Sequence, residues 1–544
     1  MKRTFFSRFI SAMISVALAV AIGVGTTSCG GEIRTWLSYD LSGDPSNLDP
    51  QCATGDSAYT VINNIFEGLM TADEQGNLVC GLAEKYTVSE DKLTYRFTLR
   101  DGLKWSDGEH AVTAHDFVFA FQRLFDPKTR SASASSFYCI KNSQNVAEGR
   151  ADISSLGVYA PSDTELVFEL EYPNSMFLQL LTTAPAMPCN QEFFEQTEGT
   201  YGLDSSSLIS TGPYYLKSWV EDEESYIKLG KNDSYYSADQ VNLTSLTLYT
   251  NTEDEEVIDR FIKGDTQVYA YSGKTDRELQ KNIDDYQSSV SQNVLWGLAL
   301  NPANEYLQNT SLRLALAHCF DRARYAEVLP DYLTAADAMV PPEVTLDGEN
   351  YRENSQEVKA PGYDPELAKT EYAQALAQLQ TAELNNLKVL IPNDTGIDHL
   401  EYFNYISQSF QREFNLFLSV EEVSSDDLED RMEQGDYQIA VIPLESNYDS
   451  PAAVLNRFSS HSQTNRMDYQ NASFDNALNA ALTESNPQMV LENYQLAEQI
   501  LLNDAVLLPM YYESNYLLFD SDADGVMKNK QNGYLTFRYT CFTE

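Results

Sequence analysis

The C-terminal half of this chain alternates two kinds of apolar pattern, and that alternation restricts it to a layered α/β fold. Leu387 to Ile391 and Tyr437 to Ile442 are short apolar runs with the brevity and polar flanks of strands buried on both faces. Around them, Ser311 to Leu329, Pro365 to Leu379, Leu400 to Phe414 and Gln488 to Leu502 carry apolar residues at helical spacing. The first half is richer in strands. Leu93, Tyr95, Phe97 and Leu99 alternate with Thr94, Arg96 and Thr98, the signature of a half-buried strand, and Glu165 to Leu170 and Leu243 to Tyr249 read as further strands. Thr113-Ala114-His115-Asp116 has the capping-box spacing, with Asp in place of Glu, ahead of Phe117, Phe121 and Leu124 on one helical face. A chain of 544 residues exceeds what one hydrophobic core supports, so mixed α/β in at least two lobes is expected.

The start of the chain stands apart from this pattern. Lys2, Arg3 and Arg8 precede an almost wholly apolar run, Phe9 to Val24, and Thr26-Thr27-Ser28-Cys29-Gly30 follows. A basic segment, a short apolar run and a small-residue exit read as a secretory signal over residues 1–29. The Cys at the exit resembles a bacterial lipoprotein signal, which implies lipidation of Cys29; Thr26 departs from the usual Leu of that motif. An ordinary cleaved signal is the alternative. No later run reaches the roughly eighteen apolar residues of a membrane span, so the rest is expected to lie outside the cytoplasm, anchored to the outer face of the cell membrane through its lipid.

Lys+Arg at 36 against Asp+Glu at 81 gives a formal net charge of -45. That field repels phosphate backbones, so no nucleic-acid partner is expected. Cys52, Cys80, Cys139, Cys189, Cys319 and Cys541 show no C-x-x-C spacing, which argues against zinc; buried thiols and disulfides both fit one sequence. The five histidines form no i, i+4 pair and flank no obvious nucleophile, so an enzyme is not expected. Gly55-Asp56-Ser57 imitates an esterase start without a matching Asp-x-x-His near the C-terminus. Ser272-Gly273-Lys274-Thr275 imitates the end of a phosphate loop, but Val268 stands where the first glycine belongs. Asp520-Ser521-Asp522-Ala523-Asp524-Gly525 has the spacing that converges Asp520, Asp522 and Asp524 on a hard cation such as calcium. Gln531 replaces the bidentate Glu, so a solvated acidic turn is the competing reading, and no other cofactor is expected.

Between Ile62 and Gly108 the sequence carries motifs in a fixed order. These are Ile65-Phe66-Glu67-Gly68-Leu69, Gly81-Leu82-Ala83-Glu84 and the run from Leu93 to Gly108. Leu48-Asp49-Pro50, Thr113 to Phe117, Thr211-Gly212-Pro213-Tyr214, Arg313-Leu314-Ala315-Leu316 with Asp321-Arg322, and Leu508-Pro509-Met510-Tyr511-Tyr512 complete the set. Together they resemble the oligopeptide-binding branch of the large bacterial extracellular solute-binding proteins (family 5) of ABC importers. The resemblance implies a periplasmic-binding-protein-like fold, two lobes joined by hinge strands and closing on ligand. It implies lobe I at 30–72, 188–293 and 514–544, an extra subdomain of lobe I at 73–187, and lobe II at 294–513. It also implies an oligopeptide ligand, an ABC permease and ATPase as membrane partners, and a monomer.

Peptide-binding relatives clamp the peptide ammonium with an Asp in a Trp-x-x-Asp-Tyr-x-x-Pro stretch. Here that stretch is Leu444-Glu445-Ser446-Asn447-Tyr448-Asp449-Ser450-Pro451, so Asn447 stands at the anchoring position. An amide cannot neutralise an ammonium, so Asp449 or Glu445 would take over, or the ligand lacks a free amino end. Thr54-Gly55-Asp56 matches a loop lining the cleft, which adds Gly55 and Asp56. Tyr448, Trp296, His399, Tyr511 and Tyr512 complete the expected ligand-binding set, with His399 near where relatives meet a ligand carboxylate. The alternatives are a sugar, a haem-like molecule or a metal chelate as ligand, or a surface peptide-signal receptor without import.

Overall fold

The computed structural model describes residues 33–543, except 42, 222–224, 251, 253, 274–278, 280–282, 385–386, 447, 461, 463 and 485. Cys29, Asn447, Lys274 and Thr275 therefore lie outside the described residues.

An eleven-stranded sheet forms the spine. From one edge its strands run 419–423, 388–392, 439–445, 286–300, 507–520, 268–272, 36–40, 245–249, 226–231 and 214–220, with 333–335 paired beside 507–520. Two long antiparallel strands, Tyr286–Leu300 and Leu507–Asp520, carry the sheet from one half of the molecule to the other. Their pairing breaks register between Ser291 and Val294 and again between Trp296 and Gly297. On one side of the first break, 507–520 also pairs 268–272; on the other, 286–300 pairs 439–445. The break is thus where the sheet changes owners, the place for a bend, since a bulge leaves a residue unpaired and raises local twist.

The apolar cores divide at the same point. One gathers residues from Leu37 to Val268 together with Leu517 to Phe542. Two others lie on opposite faces of the far end of the sheet: Leu295, Ala299 and Tyr512 enter one, while Trp296, Leu298, Leu300 and Tyr511 enter the other. Strands 388–392 and 439–445 are parallel neighbours buried on both faces, as their unbroken apolar runs require. Helices 472–483 and 487–504 cover one face; 310–318, 365–378 and 399–414 cover the other. The architecture is a two-lobed α/β fold with two connecting strands.

A separate four-stranded antiparallel sheet, in the order 83–88, 94–99, 165–169, 158–162, stands on the first lobe. Tyr95, Phe97 and Leu99 point inward from it, as their alternation demands. The Thr113 N–H donates to the Asp116 carboxylate at 2.7 Å, opening helix Ala114–Phe125, and Phe121 packs edge-on against Phe168 and Phe137. One expectation is corrected. Ser311 to Leu329 is two helices, 310–318 and 322–326, because the Asp321 side chain accepts from Arg324 N–H and starts a new helix. Among the described residues no helix is long and apolar enough to cross a membrane, and the six described cysteines are unpaired.

Candidate functional site: a charged cleft between the lobes

A cavity of about 570 Å³ opens where the two connecting strands break register. Its walls come from both halves: Glu74 and the 526–530 segment on one side, Glu343, Tyr448 and Asp449 on the other, with Ser289 to Asn293 as its back. The lobes touch across it. Asp449 N–H donates to the Lys530 carbonyl at 3.0 Å, and Lys528 Nζ lies 3.8 Å from Glu445 Oε1. Asn293, inside the register break, has its carbonyl taken by Ser446 N–H and its side-chain oxygen by Asn515.

The charges are arranged around this contact. Gly55, at φ +86°, turns the chain into helix Asp56–Ile65, and Asp56 is its first residue. That backbone is one only glycine adopts without strain. Burial raises the Asp56 carboxyl above its ordinary value, the Glu445 charge raises it further, and Lys528 partly offsets both. Glu343 is likewise raised by burial, with Lys530 and Lys528 opposing. Two lobe-bridging lysines thus sit among carboxylates from both halves.

Of the residues expected to meet ligand, Tyr448 and Asp449 line this cavity, while Glu445 and Asp56 stand behind its wall, each within the field of Lys528. Asp449 is already engaged: Thr345 donates to its carboxylate from both N–H (2.6 Å) and hydroxyl (2.7 Å). His399, Tyr511 and Tyr512 stand elsewhere, in the core. His399 is 1% exposed, its Nδ1 lies 2.5 Å from the Tyr511 hydroxyl and its Nε2 2.6 Å from the Thr395 hydroxyl, so neither nitrogen is open to a carboxylate. Burial holds its pKa down at about 4. Tyr512 donates to the Ala338 carbonyl. Trp296 packs at a tilt against His399, 4.0 Å between ring centroids, and donates to buried Glu513 at 2.6 Å. It also borders a second, more apolar cavity of about 440 Å³ with Met432, Phe458 and Arg457.

The acidic turn is differently occupied. Asp520 accepts from Arg34 at 2.6 Å, Asp524 accepts from Gly525 N–H, and the Asp522 carbonyl accepts from Thr543. Among the described residues no group of three His, Cys, Asp or Glu is placed to hold a metal ion.

Sequence reasoning missed Lys528, Lys530, Glu343 and Asn293. A signal for the first two exists: Lys528-Asn529-Lys530 is a basic cluster in a chain of net charge -45. The motif glycine at 212 has a packing cause, since a Cβ there would stand 2.7 Å from the Ile65 carbonyl carbon.

Fold and cleft together define a two-lobed solute-binding protein. Residues 77–466 match the family described as bacterial extracellular solute-binding proteins, family 5 (middle). The chain belongs to that family. It is 25% identical to the oligopeptide-binding protein OppA of Bacillus subtilis (strain 168) over 529 residues, covering 95% of each chain. It is 26% identical to the dipeptide-binding protein of Lactococcus lactis subsp. cremoris (strain MG1363) over 543 residues, covering 94% of this chain and 96% of that one. The solved structure of the Escherichia coli murein tripeptide binding protein MppA superposes with a TM-score of 0.74 at 26% identity, covering 94% of this chain and 99% of that chain.

Proposed function

We propose that this protein captures oligopeptides in the cleft between its lobes and delivers them to an ABC permease and its ATPase. In this reading it works as a monomer outside the cytoplasm, held to the membrane by a lipid on Cys29. Lobe I comprises 30–72, 188–293 and 514–544, the extra subdomain 73–187, and lobe II 294–513. The observation that carries the reading is the cavity of about 570 Å³ whose walls come from both halves and whose back is the break in the connecting strands. A cavity so placed closes or opens with the hinge. Relatives named for oligopeptide, dipeptide and murein tripeptide binding support a peptide as the occupant.

Within the cleft, the ligand ammonium is assigned to Asp56 and Glu445, which approach from opposite lobes. Both oxygens of Asp449 are taken by hydrogen bonds from Thr345, whereas Lys528 stands 3.8 Å from Glu445, beyond hydrogen-bond contact, which leaves this pair room for a closer cation. A peptide ammonium takes that place and draws the lobes together. Titration calorimetry with a peptide and its N-acetylated twin tests this. The free amine should bind about tenfold or more tighter, since about 1.4 kcal/mol is tenfold. Equal binding of the twins would move the ammonium site elsewhere.

A further inference from the structure

The peptide cleft adjoins a groove under the extra subdomain, with the Asp449–Lys530 contact between them. A cavity of about 750 Å³ lies between the four-stranded sheet and lobe II, and it shares Gln75, Asp449 and Lys530 with the cavity between the lobes. One wall is the edge strand Ala83–Val88, which pairs only with 94–99 among the described strands. On it Tyr86 and Val88 are 37% and 39% exposed and both line the groove. Phe97, its partner on the next strand, packs beside the Tyr86 ring, 5.6 Å away between centroids. The facing wall is the hairpin Thr345–Asn350, which contributes Leu346. Direct contact closes the far side, where Ser175 N–H donates to the Leu482 carbonyl at 2.9 Å.

Two apolar side chains two residues apart on a strand are about 7 Å apart, the spacing of alternate side chains on an extended peptide. We infer that this groove holds the distal residues of a peptide too long for the cavity between the lobes, packing their alternate apolar side chains on Tyr86, Val88 and Leu346. The inference rests on the peptide reading above and adds a length and a chemistry to it: extended peptides with an apolar distal half. The common wall of Gln75, Asp449 and Lys530 places the groove next to the cleft and selects the same ligand chain as the occupant, crossing where the lobes part. The Lys530 stem packs against Gly76 between the two cavities, where a Cβ would stand 3.0 Å from its Cδ, so a peptide spanning both displaces this side chain.

Calorimetry on the full mature chain separates the claims, using a tripeptide and a nonapeptide that extends it with alternating Leu and Ser. The nonapeptide should bind about tenfold or more tighter, the scale expected for burying two or three part-exposed apolar side chains. The double variant Tyr86→Ser/Val88→Ser should remove that advantage and leave tripeptide affinity unchanged, which also shows that the variant is folded. Equal affinity for both lengths in the wild type would overturn the inference, and so would an equal loss for both lengths in the variant. Binding of neither length would overturn the peptide reading itself, and this extension with it.

Discussion

His399 is the residue whose sequence expectation and structural setting differ most, and its titration distinguishes them. Its ring lies between Trp296 and the Tyr511–Thr395 hydroxyls, 1% exposed, with Asp398 the charge that acts on it. Burial lowers its pKa from 6.5 to about 4. Below pH 6.5 the unfolded chain takes up a proton that the folded chain refuses until about pH 4. The stability contributed by the neutral ring is therefore fully present above 6.5 and is lost as pH falls toward 4. At about 1.4 kcal/mol per pH unit, the loss reaches about 3 kcal/mol at pH 4. The perturbation is His399→Gln, and the assay is urea unfolding of wild type and variant at pH 7.5, 6, 5 and 4. Every other titrating group is common to both proteins, so the difference between them isolates this ring. At pH 7.5 the variant should be less stable by about 1–3 kcal/mol, for the lost hydrogen bonds and stacking. That difference should move by about 3 kcal/mol in the variant's favour as pH falls to 4, so that the variant becomes as stable as the wild type or more so, and saturating peptide should not alter the trend. A deficit independent of pH would show that His399 titrates alike in both states, and the buried setting would be refuted. A trend that peptide abolishes would return His399 to the ligand.

Three further outcomes follow from named contacts. Asp56→Asn and Glu445→Gln should each weaken free-amine peptides by about tenfold or more while changing N-acetylated peptides less, measured by calorimetry. Asp449→Ala removes both hydrogen bonds from Thr345 and should cost about 1–3 kcal/mol in chemical unfolding, whereas Thr345→Val removes only the hydroxyl one and should cost less. Their double variant should cost no more than the larger single change. Because Asp520 is paired with Arg34, chelator should leave the melting curve unchanged; a drop on chelation that Asp522→Ala abolishes would instead place a calcium ion there.

Much of the fold is readable wherever burial imposes a period. The alternation of Tyr95, Phe97 and Leu99, the Thr113–Asp116 cap and the double-buried runs at 388–392 and 439–445 each announce their element. Strand Tyr286–Leu300 does not: its first half, Gln287-Ser288-Ser289-Val290-Ser291-Gln292-Asn293, is almost wholly polar and is a strand only because 507–520 pairs along it. That half is the back of the cleft, where a site facing water and ligand replaces the core that would have written a pattern. The cleft was legible in part. Motif position pointed to Tyr448 and Asp449, which line the cavity, but a motif cannot show that Thr345, far away in sequence, occupies Asp449. Nor does it show that the His399 and Tyr511 side chains turn toward each other inside lobe II, because strand residues 511 and 512 face opposite cores.

The central claim, that peptides are held between the lobes, is tested most directly by melting the mature chain with and without a mixed peptide digest. A ligand that binds only the folded state stabilises it by RT ln(1 + [L]/Kd), about 2.7 kcal/mol at a hundredfold excess over Kd. The account predicts a rise in Tm that grows with digest concentration and is carried by particular fractions. A curve that no peptide fraction shifts at any concentration would contradict it.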